Sequence, residues 1–163
     1  MDYKNINHNK LQVADQKLYH DNIQFEFWTP VMFVPFGLNH YQNEQFGEKY
    51  ELKLAFRGEQ GVRLKNFQEK MEHVDAFLRN NFPIGTDYYS IVKQDCLVLR
   101  IPMVKGKINC HVKVNEKRSD IPIPTIFEVK PGQMVRCLVK ADKVWQYQNR
   151  AGCIMTVKEI FIT

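Results

Sequence analysis

No stretch of this sequence approaches the roughly 18–20 consecutive apolar residues that a membrane-crossing helix needs, so a helical span is excluded at the outset. The first residues, Met1 to Asp21, are polar and rich in Asn and Lys, and lack the apolar core of a secretory signal. Glycine and proline are sparse, 8 and 7 in 163 residues. That excludes collagen-like and low-complexity organisation. The four cysteines, Cys96, Cys110, Cys137 and Cys153, form no CxxC pair, which removes the zinc knuckle and the thioredoxin motif. Each lies within an apolar run and is expected to be a reduced, core-filling thiol of an intracellular protein that is not secreted.

Motifs that carry chemistry are missing as well. There is no GxxxxGK[ST], GxGxxG, HExxH or GxSxG. Gly58 and Gly61 come nearest to a phosphate loop but lack its lysine. The histidines His8, His20, His40, His73 and His111 stand singly. Glu69, Glu72 and Asp75 fall on the polar side of a helical stretch, where solvation accounts for them. No nucleophile has a base at a readable spacing. These absences point away from an enzyme, and the expectation is a protein with no catalytic residue, no metal and no cofactor.

What the chain does have is aromatic rings and unevenly placed charge. Eleven Phe, seven Tyr and two Trp make up 12% of a 19.3 kDa chain, a size that fits one core. The net charge is +5, yet residues 1–48 carry −3, residues 49–95 carry +1 and residues 96–163, with 12 basic and 5 acidic side chains, carry +7. A local excess of this kind predicts a polyanionic partner, against the plainer reading of a solvated lysine face.

Hydrophobic periodicity gives the fold. Residues 1–22 show no period and read as a flexible N-terminal arm; residues 23–163 read as a single domain. Ile23, Phe25 and Phe27 alternate at strand period, Val31–Phe36 is β-prone, Gly37–Gly47 is turn-like, and Tyr50–Arg57 alternates again. One helix is predicted over Leu64–Phe82, where Phe67, Met71, Val74 and Leu78 recur at spacings of 4, 3 and 4 and Pro83 and Gly85 end it. Strands follow over Cys96–Val104 and Ile108–Asn115, joined by Lys105-Gly106-Lys107, then a loop at Arg118–Pro124. Further strands are predicted over Gln133–Ala141, Val144–Gln148 and Cys153–Ile162, the last two joined across Asn149–Gly152. Short antiparallel strands with one inserted helix make the fold class mainly β: an OB-like β-barrel, with a two-sheet sandwich as the competitor of equal periodicity.

The candidate site is a binding surface. Lys53, Arg57, Arg100, Lys105, Lys107, Lys113, Arg136, Lys140, Lys143 and Arg150 alternate with apolar residues on strands or sit in their hairpins, and a barrel would set many of them on one outer surface. Trp145 and Tyr147, two apart on one strand, point to one face. An isolated Trp is usually a core anchor, but the polar flanks here favour a partly exposed stacking platform. A basic groove with flat side chains suits single-stranded nucleic acid.

Three segments carry a resemblance: Val31-Met-Phe-Val-Pro-Phe-Gly37, Tyr50-Glu-Leu-Lys-Leu-Ala-Phe56, and Cys137-Leu-Val-Lys-Ala-Asp-Lys-Val-Trp145 with Gly152 and Val157. Together they resemble the single-stranded DNA-binding proteins of large nucleocytoplasmic DNA viruses, OB-fold proteins distantly similar to the phage replication type. The resemblance covers most of the chain beyond residue 22. It implies a non-sequence-specific single-stranded DNA-binding protein that supports viral DNA replication, recombination or repair in the host cell, within the viral replication compartment. Its implied partners are single-stranded DNA, replication proteins and further copies of the chain, with no membrane. Phage relatives carry an acidic C-terminal tail for recruiting partners, whereas this chain reads Lys158-Glu-Ile-Phe-Ile-Thr163, which leaves the acidic first 48 residues as the alternative seat of that role. The alternative is a basic β-domain that serves as a viral structural or scaffold component with mainly protein partners.

Overall fold

A computed structural model describes residues 1–44, 47–58, 61–114 and 126–163; the loop expected at Arg118–Pro124 lies outside the described residues. Alternating apolar residues produce most of its strands. Before the helix come β1 (Leu11–Ala14), β2 (Lys17–His20), β3 (Ile23–Gln24), β4 (Glu26–Trp28), β5 (Met32–Phe33), β6 (Leu38–Asn43) and β7 (Gly47–Ala55). The helix α1 (Gly61–Asn80) is followed by β8 (Asp87–Tyr89), β9 (Val92–Lys93), β10 (Cys96–Ile101), β11 (Met103–Val104), β12 (Lys107–Ile108) and β13 (His111–Val114). Two long strands, β14 (Met134–Tyr147) and β15 (Arg150–Ile162), complete the chain.

Strands β5, β7, β10, β15 and β14 pair in that order, and β14 pairs back with β5, closing a ring. The pairings are antiparallel except β10 with β15, which run parallel and meet at Arg100 and Thr156. Alternation then sorts each strand into an inside and an outside. Leu52 and Leu54 of β7, Leu97 and Leu99 of β10, Val135, Cys137 and Val139 of β14, and Val157 and Ile160 of β15 are all buried. The fold is an OB-like β-barrel with one inserted helix. Ring closure is what excludes the sandwich, because a sandwich leaves its two sheets unjoined at the edges.

Helix α1 buries Leu64, Phe67, Met71, Val74 and Leu78, the stripe that its periodicity predicts. Phe67 is the centre of that contact, with Tyr3, Phe27 and Phe56 rings at 5.4, 6.0 and 5.8 Å. The helix stops at Asn80 because Phe82 precedes a proline, which disfavours helical backbone there, and Gly85 takes a φ of +90°.

Four expectations are corrected. The segment expected to be an arm is packed: Tyr3, Ile6, Leu11 and Leu18 are buried in the common core. It is also stitched to β14, where Val144 N–H donates to Gln16 O at 2.8 Å. No period announces it, since two 3-10 turns and two four-residue strands are too short to show one. The turn-like stretch Gly37–Gly47 contains β6, a polar strand recruited by its register with β7. The two strands expected on either side of Asp142 are one, β14, with a register shift between Ala141 and Lys143. The terminal hairpin turns at Gln148-Asn149, and Gly152 lies within β15.

Candidate nucleic-acid interface

On the outside of β7 and β10, Lys53 stands opposite Val98 and Glu51 opposite Arg100. Residues paired across antiparallel strands share a face, so these four form the floor of one surface. β6 extends it by setting Tyr41 opposite Lys49 and Asn39 opposite Glu51. One wall is the segment Asp87–Lys93, held by β8 against β15 and by β9 against β10. The hairpin of β14 and β15 supplies Trp145 and Ile154. Together they enclose a groove of about 710 Å³.

Four cations line that groove, Lys49, Lys53, Lys93 and Arg100, against two carboxylates, Glu51 and Asp87. Lys49 is committed: its Nζ lies 3.5 Å from Glu51 and 5.3 Å from the centre of the Tyr41 ring. Among the described residues, Lys53, Lys93 and Arg100 have no ion-pair partner. Lys53 rests over the Phe36 ring at 5.8 Å. Three unpaired cations on one concave face attract an anion that follows the groove.

Trp145 is half-buried, neither core anchor nor free ring. Its register partner is Gly152. A side chain there would meet the indole, because a Cβ built on Gly152 falls 3.0 Å from Trp145 Cζ2. The indole therefore lies flat on bare backbone. Its edge contact is Tyr89, with ring centres 5.6 Å apart and planes at 78°. Tyr89 is 48% exposed and Tyr147 is 69% exposed. Lys143 pairs with Ile154 and Tyr147 with Arg150, so Lys143, Trp145, Tyr147 and Arg150 share one face of the hairpin, continuous with the groove.

The structure thus brings together Lys53, Arg100, Lys143, Trp145, Tyr147 and Arg150, half of the residues predicted from sequence. The expected common surface does not include the rest. Arg57 is exposed on the link between β7 and α1, outside the groove lining. Lys105 and Lys107 are exposed on the separate two-stranded ribbon of β11 and β12. Arg136 packs its guanidinium on the Trp28 ring at 4.6 Å, on the β14–β4 side of the barrel. Lys140 stands opposite Glu26 in the register of β14 with β4, on that same side, where the Glu26 carboxylate is taken by Lys158 at 3.1 Å. Lys113 is paired with Glu159 at 3.2 Å. Alternation assigned each of these to an outside surface, but a closed barrel has outsides in several directions.

Sequence reasoning missed Tyr41, Lys49, Tyr89 and Lys93. The adjacent rings Tyr88-Tyr89 in a polar stretch were the available signal for the wall. Asp75 was also misread: it is only 7% exposed and holds Tyr88, Ser90 and Ile91 by hydrogen bonds. Cys153 lines the groove, but burial pushes its thiol up to about 12, so it carries no thiolate at neutral pH. Among the described residues no group of three or more His, Cys, Asp or Glu is placed to hold a metal ion.

No protein-family model matches this chain, and no curated protein is detectably similar in sequence. Solved structures do match. The single-stranded DNA-binding protein from bacteriophage Enc34, in complex with ssDNA, superposes with a TM-score of 0.54 at 10% identity, over 93% of this chain and 92% of its own. The single-stranded DNA-binding protein gp2.5 of bacteriophage T7 is at a TM-score of 0.46 and 11% identity, over 85% of this chain and 86% of its own. At such identities the first likeness speaks for the fold, and the fold is the OB-like barrel that the strand pairing describes.

Proposed function

We propose that this chain binds single-stranded DNA without sequence preference, in the groove over β7 and β10, and so supports viral DNA replication, recombination or repair. The observation that carries the proposal is the joining of unpaired cations Lys53, Lys93 and Arg100 with the rings of Tyr89 and Trp145 on one concave face. Phosphates are attracted by the cations through counterion release, and every base offers a face to an aromatic ring. OB-type barrels bind oligonucleotides on this kind of strand face and with the adjoining loops. The Enc34 protein, of the same fold, is described in complex with ssDNA. The resemblance to the proteins of large nucleocytoplasmic DNA viruses suggests the viral setting.

The test is titration with oligo-dT and with duplex DNA of equal length, at about 50 and 200 mM salt. Single-stranded binding should be tighter than duplex binding and should fall steeply with salt, by roughly 0.7 in log–log slope for each phosphate neutralised. Equal or tighter duplex binding refutes the proposal, and negligible binding, or an affinity indifferent to salt, refutes it and favours a scaffold role with protein partners.

A further inference from the structure

The groove's aromatic wall has an anchor on the far side of the chain. Tyr88, Tyr89 and Ser90 are consecutive, and backbone that is extended at β8 sends alternate side chains to opposite sides. Tyr89 turns to the groove, where it meets Trp145. Tyr88 and Ser90 turn to helix α1, where both reach one carboxylate. Tyr88 Oη donates to Asp75 Oδ1 at 2.7 Å, and Ile91 N–H donates to the same oxygen at 3.0 Å. Ser90 Oγ lies 2.6 Å from Asp75 Oδ2 and 2.7 Å from Val92 O, while accepting from Val92 N–H at 3.1 Å. Arg79, one turn along the helix, approaches Asp75 at 3.7 Å and lies over the Tyr88 ring at 5.3 Å.

A buried carboxylate is costly unless its oxygens are satisfied. Here Tyr88, Ser90 and Ile91 satisfy it, and all three belong to the wall. The strands on either side, β8 and β9, are three and two residues long and contribute few ladder bonds. Burial and the Asp75 charge push the Tyr88 phenol well above its ordinary range, so Tyr88 remains a donor at every working pH.

We propose that Asp75 is a positioning residue for nucleic-acid binding: it latches residues 88–91 to helix α1 and thereby holds Tyr89 against Trp145 as the groove's stacking wall. Asp75 touches no nucleic acid itself. This inference rests on the binding proposed above and adds what sets the geometry of the site. Helix α1, assigned by its pattern to packing alone, becomes the support on which the wall is aligned.

The experiment is a double-mutant cycle on the full chain, read by oligo-dT titration. Asp75→Ala, which removes both acceptor oxygens, should weaken binding about tenfold, the lower end of one base–aromatic stack, while the far-UV spectrum and cooperative melt persist. Tyr89→Ala should weaken it comparably, and the double variant should be no weaker than Tyr89→Ala alone, because both changes remove one wall. Asp75→Ala combined with Lys53→Ala should instead multiply the two losses, since those residues share no partner. A merely structural Asp75 would multiply with both. If Asp75→Ala does not fold, the pair Tyr88→Phe and Ser90→Ala removes two of the donors and carries the same expectations. Wild-type binding with an unweakened Asp75 variant, or with losses that multiply for Tyr89, overturns the latch and leaves the proposed function standing. Absence of oligo-dT binding by the wild-type chain overturns both.

Discussion

Gly152 offers the most direct test of how Trp145 is seated. Adding a Cβ there places it 3.0 Å from Trp145 Cζ2 and 3.1 Å from Cε2 and Nε1. Carbon–carbon contacts are most favourable near ~3.5–4.0 Å, so the indole must retreat by about 0.5 Å. The backbone at 152 is ordinary strand and lies outside the left-handed region, so alanine adopts it without strain. Replacing a mid-strand glycine gains roughly 0.5–1 kcal/mol. Overpacking costs about 1–3 kcal/mol, and the lower end applies because a half-buried ring can tilt towards solvent. The two nearly offset, leaving Gly152→Ala between neutral and about 1 kcal/mol destabilised, or at most ~4 °C in Tm for a domain of this size. Binding should respond more, because a tilted indole loses its edge contact with Tyr89. Oligo-dT affinity should fall by up to about tenfold, within the contribution of a single stacked base. In a Trp28→Phe background the remaining tryptophan reports Trp145 alone, and its emission should shift towards that of an exposed indole. Emission, affinity and Tm all at the level of the Trp28→Phe parent would refute the seating. A melt many degrees lower with binding intact would make the ring a core anchor rather than a platform.

Two further outcomes follow from charge placement. Lys53→Ala with Arg100→Ala should weaken oligo-dT binding and make its salt slope shallower by up to about 1.4, two phosphate contacts' worth, whereas Lys113→Ala with Arg136→Ala should leave both unchanged; the reverse pattern would move the track to the β14–β4 side. His20 is buried and accepts from Asn7 N–H through Nε2 at 3.0 Å, which requires the neutral ring. Burial, then the charge of Lys10, lowers its pKa below the ordinary 6.5. The unfolded chain therefore binds the proton more readily, so stability is full above about pH 6.5 and declines as pH falls from there towards the folded value. His20→Gln should flatten Tm between pH 7 and 5, and an unaltered pH dependence would show that another group governs it.

Helix α1 and the inside of the barrel were legible in the sequence because burial writes itself as period: Phe67, Met71, Val74 and Leu78 at helical spacing, Leu52 and Leu54, or Cys137 and Val139, at strand spacing. The basic excess of the last 68 residues was equally plain. The hairpins were less so. Ala14 to Lys17, His20 to Ile23 and Lys93 to Cys96 turn through Asp15-Gln16, Asp21-Asn22 and Gln94-Asp95, each with two residues at positive φ. Of these described two-residue turns and that of Lys105-Gly106, only the last has the glycine that marks such a turn, because in the others strand pairing on both sides holds ordinary residues in the left-handed region. Which outward cations share a groove was decided by tertiary structure alone. Alternation gives a side chain one of two faces, but ring closure and the register shifts in β14 turn the outer face through the circumference of the barrel, separating Arg136 from Lys53 and joining Lys53 to Trp145. Asp75 shows the same limit from the opposite direction: its place on a polar helix face is a local property, whereas its burial comes from a segment folded back over it from 13 to 16 residues further along.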